Sequence, residues 1–257
     1  MRTITLSLVV TLTLQFILIA GSDGAEKGMV GHWNFNEDTG NIAKDTSEFG
    51  NDGELAGDAK WVKGIEGTAI DLDGDGDCVA VTQTPSARDV TDGITIEAWI
   101  YPRALGEDID YGEKSVLIRV PYYLALTRET GKFGTYLYDV TVDGWVNSKS
   151  KLKKEEWAYI AITYDKNTKE VNLYLNGELD LSEKMNGAPI QFRADEIITI
   201  GGERKNIRFF DGIIDEVQLW ANYSKTSKEI KATYLGIAPV ESFGKLATTW
   251  GELKQVR

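Results

Sequence analysis

Between positions 29 and 220 short apolar runs alternate with clusters of Gly, Asn and Asp, and this punctuation restricts the fold more than any other feature. The runs are MVGHWNF (29–35), AKWV (59–62), TAIDL (68–72), CVAVT (78–82), ITIEAWIY (94–101) and SVLIRV (115–120). They continue with YYLAL (122–126), KFGTYLYDV (132–140), WAYIAITY (157–164), EVNLYLNG (170–177), EIITIG (196–201) and GIIDEVQLW (212–220). Many have period 2. Ile94, Ile96, Ala98 and Ile100 share one side of their run, and Thr95, Glu97, Trp99 and Tyr101 the other. Val171, Leu173 and Leu175 alternate in the same way with Asn172, Tyr174 and Asn176. Successive side chains of an extended chain point to opposite faces, so such runs suit strands with one buried face. Turn signals separate them: DGDGD at 73–77, TDG at 91–93, DKNT at 165–168 and NGE at 176–178. One stretch reads as helix, TSKEIKATYL (226–235), where Thr226 and Glu229 form a capping-box pattern and Gly236 stands at the expected stop. No strand–helix–strand rhythm is present, which argues against a parallel sheet. The expected fold class is all-β: a two-sheet antiparallel β-sandwich of jelly-roll type with one short C-terminal helix.

Composition narrows the function. With 42% apolar residues in 257, the chain can bury a core, and 28 basic against 40 acidic residues leave a net charge of −12. Nucleic-acid binding is not expected, because it needs a cationic surface to displace counterions. A single cysteine, Cys78, excludes an intramolecular disulfide and a Cys-cluster zinc site; its CVAV setting suits a small buried apolar residue. A single histidine, His32, leaves no His pair for a metal, and a Ser-His-Asp triad would have to use it. Residues 1–22 carry Arg2, an apolar stretch and then Ala20, Gly21 and Ser22, the pattern of a cleaved secretory signal. Thr5, Ser7, Thr11, Thr13 and Gln15 dilute that stretch as a membrane anchor, so no integral span is expected in the mature chain. The expected organisation is a signal at 1–22, a sandwich at 28–236 and a tail at 237–257, and the expected location is extracellular or cell-surface. Leu246, Trp250 and Leu253 in the tail are spaced as one stripe of a short helix.

The segments WNFNED, AKDTSEFGNDGEL, AIDLDGDGDCVAV and ITIEAWIYP, in that order, resemble the LamG-like (laminin G-like) jelly-roll module of the concanavalin A-like lectin/glucanase fold. The later segments EEWAYIAITYD, VNLYLNGEL, ITIGGE and FFDGIIDEVQLWANYSKTSKEIKATY continue the resemblance. It implies a curved sandwich, often a calcium ion at its rim, and binding of glycans or proteins outside the cell. The ligand stays open, because this fold hosts lectins, adhesion modules, glycosidases and spacers.

Calcium wants six to eight hard oxygen ligands on a flexible loop. Residues 36–52 supply Asn36, Glu37, Asp38, Asp45, Asn51 and Asp52, with Gly40 and Gly50 to turn the backbone. The resemblance gathers the FNE after the first strand, the aspartate of AKDTSEFGNDG and that of GIIDEV around one ion; with Asn51 from the same loop, the candidate metal residues are Asn36, Glu37, Asp45, Asn51 and Asp215. Alternation puts Asp215 on a face with Ile213, Val217 and Leu219, where a carboxylate must be paired, hydrogen-bonded or metal-bound. The same residue types equally suit turns in which Asp45 and Asp52 bond local amides. DLDGDGD at 71–77 starts like an EF-hand loop, but position 12 is Thr82 and no helix follows, so an acidic hairpin is the expectation.

Two functions remain for the polar surface. Sugar cleavage needs a pair of facing carboxylates, and the nearest pattern is Asp108, Asp110 and Glu113 in DIDYGE, which departs from the E-x-D-x-x-E and E-x-D-x-E of the fold's glucanases. No catalytic residue is therefore assigned. Sugar binding needs flat rings edged by polar groups, and Tyr111, Trp145 and Tyr174 are the candidate ligand-binding residues, with Tyr122 and Tyr138 as further loop aromatics. Trp33, Trp99, Trp157 and Trp220 are expected to pack in the framework. The expected function is a non-catalytic binding or adhesion module for a polysaccharide or glycoconjugate. The alternatives are an extracellular protein partner, met by loops or tail, and a glycoside hydrolase.

Overall fold

The computed structural model describes residues 28–82, 86, 90–107, 112–141, 143–190, 197–203 and 207–238. Two antiparallel sheets form the fold. The first has the order β14 (Glu178–Lys184), β13 (Glu170–Leu175), β12 (Ala158–Asp165), β7 (Gly93–Pro102), β16 (Asp211–Ala221), β5 (Thr68–Asp73) and β4 (Lys60–Lys63). An eighth strand, β1 (Met29–Trp33), also pairs with β16. The second runs β11 (Val146–Asn147), β10 (Phe133–Leu137), β9 (Tyr122–Leu126), β8 (Lys114–Arg119), β15 (Ile198–Ile200), β6 (Cys78–Val81), β3 (Gly53–Ala56) and β2 (Ile42–Ala43).

The core fills the space between the sheets as the alternation requires. Ile94, Ile96, Ala98 and Ile100 of β7 and Val171 and Leu173 of β13 meet Val116, Leu124 and Phe133 of the facing sheet. Trp33 lies in this core and Cys78 is buried beside it. Tyr122, a candidate loop aromatic, is fully buried here as well, since it opens β9 rather than a loop.

The outer face of the first sheet is covered by α1 (Ser227–Ile237). Thr226 caps it and Glu229 reaches back to the Thr226 amide at 2.7 Å, completing the capping box. The helix runs through Gly236, which keeps a helical backbone, and ends when the Ala238 amide bonds the Tyr234 carbonyl. Ile230 packs with Trp99, Tyr159 and Tyr174, and the Tyr234 ring stacks on Trp99 at 5.5 Å. Glu97, at 0% exposure on the same face, is held by Lys225 at 2.9 Å and the Tyr159 hydroxyl at 2.5 Å.

Strand β16 carries a bulge that decides where Asp215 points. Asp215 pairs with Trp99 and Gln218 with Glu97, so Glu216 and Val217 together oppose Ala98. Glu216 takes φ 49°, and side-chain parity reverses across it. Ile214, Val217 and Leu219 enter the core, while Asp215 stands opposite Trp99 on the outer side. The expectation that Asp215 shares a face with Val217 and Leu219 is therefore corrected: unbroken alternation does not survive an inserted residue. Among the described residues no helix is long and apolar enough to cross a membrane. Residues 1–27 and the tail from 239 lie outside the described residues.

Candidate functional site

α1 covers much of the first sheet's outer face, and a group of four aromatic side chains gathers on the outer face of the second sheet. Register aligns Ile118 of β8 with Tyr123 of β9, and Tyr123 with Tyr136 of β10. Tyr138 follows Tyr136 at the spacing that returns to one face. Trp145 comes from the turn before β11 and closes the group. Ring centroids of Tyr136 and Tyr138 lie 5.0 Å apart, edge to face. Tyr123 lies 6.0 Å from Trp145 and 6.2 Å from Tyr138, and Tyr136 lies 6.0 Å from Trp145. Contacts of this kind add about 0.5–1.5 kcal/mol each beyond burial, which holds the rings in place. Tyr123 is the buried floor, and Tyr136, Tyr138 and Trp145 are half-exposed.

Charges border the floor. Arg208 bonds Glu113 at 3.1 Å through Nε and Glu203 through Nη1. Burial raises the Tyr123 phenol above its ordinary value, with Tyr138 and Glu203 adding to the effect, so it stays a neutral hydrogen-bonding group. Beyond Trp145 opens a pocket of about 290 Å³. Trp145 walls it together with Thr141, Asp143, Glu183, Lys184 and Asn186. An indole wall edged by carboxylates and an amide is the chemistry that holds a small polar ring with C–H faces.

The other candidate residues fare differently. Tyr174 is corrected: it is 2% exposed, sits under α1, and its hydroxyl meets Ser227 Oγ at 3.2 Å, so it offers no platform. Tyr111, with Asp108 and Asp110, lies outside the described residues. Glu113, 4% exposed, is bound to Arg208.

The residues of the calcium set take part in turn hydrogen bonds. Asp45 accepts four hydrogen bonds, from the His32 amide at 2.8 Å, the Ser47 amide at 2.9 Å, Ser47 Oγ at 2.7 Å and the Asn51 amide at 2.7 Å. These fill the roughly four acceptor positions of a carboxylate. Asn51 points its amide nitrogen to the Val30 carbonyl at 2.6 Å, and Glu37 accepts from the Lys44 amide at 2.9 Å. Asn36 accepts from the Thr68 amide at 2.9 Å. Asp215 accepts from the amides of Ile65 at 2.9 Å, Glu66 at 3.4 Å and Glu216 at 2.8 Å. Asp45 and Asn51 thus brace the segment between β2 and β3, and Asn36 and Asp215 brace the turn between β4 and β5. The turn-building reading of these aspartates describes the hydrogen bonds they make.

Carboxylates do converge at Asp58, Asp73 and Asp77, whose oxygens lie within 4.8 Å of one another. Asp77 accepts the Asp58 amide at 2.7 Å and the Asp73 amide at 3.1 Å. Burial raises its pKa, with Asp73 and Asp58 contributing repulsion. The DGDGD turn was visible in sequence, whereas Asp58 joins it through the pairing of Ala56 with Cys78 between β3 and β6.

Residues 73–231 match the model of the family described as the concanavalin A-like lectin/glucanases superfamily. No curated protein matches the chain. Among solved structures it is similar to domain 4 of AbnA, a GH43 extracellular arabinanase from Geobacillus stearothermophilus, solved in complex with arabinotriose. The identity is 15% and the TM-score 0.61, covering 82% of this chain and 98% of that one. It is also similar to the binding domain of Paraclostridial Mosquitocidal Protein 1, at 17% identity and TM-score 0.61, covering 80% of this chain and 52% of that one. The binding domain of Botulinum Neurotoxin DC in complex with SialylT gives 14% identity and TM-score 0.61, over 82% and 52%. At these identities the likeness is one of fold, and the chain spans about half the length of the toxin domains. The family match extends over more than half of the sequence and lies within the two-sheet sandwich: the chain belongs to the concanavalin A-like lectin/glucanases superfamily.

Proposed function

We propose that this chain is a non-catalytic, extracellular glycan-binding module whose combining site is the Trp145 pocket with the adjoining Tyr136 and Tyr138 rings. One observation carries the reading: Trp145 is half-exposed, braced by Tyr123 and Tyr136, and walls a polar pocket of about 290 Å³. Ligand pockets begin near this size, and a flat ring with polar edges is what a pyranose or furanose requires. Saccharide-bound relatives of the fold add support, since the arabinanase domain was solved with arabinotriose. The non-catalytic part rests on Glu113 and Glu203. Both are spent on Arg208 between them, whereas glycosidases aim two carboxylates at one bond.

The test is a glycan array followed by titration calorimetry on any hit. Trp145→Ala is expected to weaken binding at least about tenfold, since losing one buried aromatic contact is worth a kcal/mol or more. Tyr174→Phe should leave affinity unchanged. Binding that survives Trp145→Ala would put the site elsewhere. An empty array together with capture of an extracellular protein would favour the protein-partner alternative. Reducing-sugar release that disappears in Glu113→Gln would make the chain a hydrolase.

A further inference from the structure

The donors and acceptors in the Trp145 pocket are unequally committed. Thr141 Oγ1 donates to the Leu137 carbonyl and accepts from the Leu137 amide, each at 3.1 Å. Asn186 donates to the Asp139 carbonyl at 2.7 Å and accepts from the Ala188 amide at 2.8 Å. Lys184 is drawn to Glu170 at 3.1 Å and to the Thr168 carbonyl at 2.9 Å. Asp143 and Glu183 are both exposed, and neither side chain makes a hydrogen bond or ion pair with another described residue. Of the charged groups in the lining, the two carboxylates are therefore the ones without a partner among the described residues, and they share the pocket with an indole.

Resting on the glycan-binding reading above, we propose that this pocket selects saccharides bearing a free amino group and disfavours uronate or sulfated ones. An ammonium on the sugar ring supplies the missing donors, forms charge-assisted hydrogen bonds with Asp143 and Glu183, and lies over the negative face of Trp145. A carboxylate or sulfate brings only acceptors and meets two like charges. The net charge of −12 acts in the same direction at longer range, but salt screens it, whereas the pocket contacts persist.

The experiment is calorimetry on the full chain, at pH 6 and fixed ionic strength, with four tetrasaccharides: a glucosamine chain, its N-acetylated form, the unmodified glucose chain and a uronate chain. The glucosamine chain is expected to bind about tenfold tighter than its N-acetylated form, and the uronate chain weakest. Asp143→Asn with Glu183→Gln should bring the amino and acetylated forms to equal affinity, and Trp145→Ala should weaken both. Glu48→Gln, an exposed charge change in another segment, should leave the preference intact. Equal binding of amino, acetylated and glucose chains to the unaltered protein overturns the selectivity while the glycan site stands. A tetralysine peptide that binds as tightly as the glucosamine chain also overturns it, because the pocket then reads an ammonium without the sugar. Absence of binding by all four saccharides overturns the amino-sugar selectivity, while the glycan site stands or falls on the array.

Discussion

Replacing Asp215 with Asn sets two opposing effects on one carboxylate against each other. Three backbone N–H donors from Ile65, Glu66 and Glu216 favour its ionised form, while complete burial and the neighbouring Glu216 favour the protonated one. Burial is the larger influence, with Glu216 second, and together they raise the pKa from 3.8 to about 8. A carboxyl that holds its proton more tightly when folded contributes most to stability at low pH. That contribution falls as pH climbs from about 4 to about 8, where the folded state alone keeps the proton. The full span corresponds to on the order of 5 kcal/mol. Asn has nearly the same shape and stays neutral, so it lacks this dependence. Guanidinium unfolding of both proteins from pH 4 to 9 isolates Asp215, since every other titration is shared. The wild type should lose several kcal/mol relative to Asp215→Asn across that window. A wild type that instead gains stability relative to Asp215→Asn with rising pH would show that the three amide donors outweigh burial, and would refute the reasoning.

Tyr234→Ala should destabilise the chain by about 2–3 kcal/mol and expose Trp99, read as a lower denaturation midpoint and red-shifted fluorescence, because Tyr234 stacks on Trp99 and touches Tyr159; a change below about 0.5 kcal/mol would mean the helix is not fastened there. Asp45→Ala should lower the melting temperature equally in chelator and in millimolar calcium, since its acceptor positions are filled by N–H and O–H donors. A calcium-dependent increment that is lost in Asp45→Ala would support an ion at that residue. Thr226→Ala removes the helix cap and should cost about 1 kcal/mol in unfolding free energy, with an unchanged midpoint counting against the capping box.

The sandwich was legible because its signals are local. Ile94 to Ile100 alternate within one strand and Thr226 to Glu229 cap within one turn, so neither needs knowledge of a neighbour. What was misread depends on tertiary placement. Tyr174 occupies the outer side of its strand as alternation predicts, but α1 lies over that face, and nothing in VNLYLN announces it. Asp215 was assigned the wrong face because the bulge uses Glu216 at φ 49° rather than a glycine, leaving no mark in the sequence. The ring cluster was half-visible: Tyr136 and Tyr138 are two apart in KFGTYLYDV and must share a face. Joining them to Tyr123 requires the β9–β10 register, which sequence does not supply.

These misreadings share one physical origin, and it bears on the proposed binding surface. A sandwich of two sheets has two outer faces, and this chain carries aromatics on both. Those on the first sheet, Trp99, Tyr159 and Tyr174, are matched by Ile230 and Tyr234 from α1, so their apolar area is consumed within the fold. Those on the second sheet have only one another. Tyr136, Tyr138 and Trp145 remain half-exposed although they are packed against one another, and the pocket beside them is lined by two carboxylates without a side-chain partner among the described residues. An exposed aromatic group fixed by its own contacts loses little conformational freedom when a ligand covers it. Evolutionary drift would be expected to bury or replace such rings in a mere spacer, since exposed apolar patches invite association. Rigidity and solvent access together favour the Tyr136, Tyr138 and Trp145 group as the proposed combining face, whereas on the first sheet only the Tyr101–Trp157 pair, 5.7 Å apart, keeps comparable access beside the rings that α1 covers.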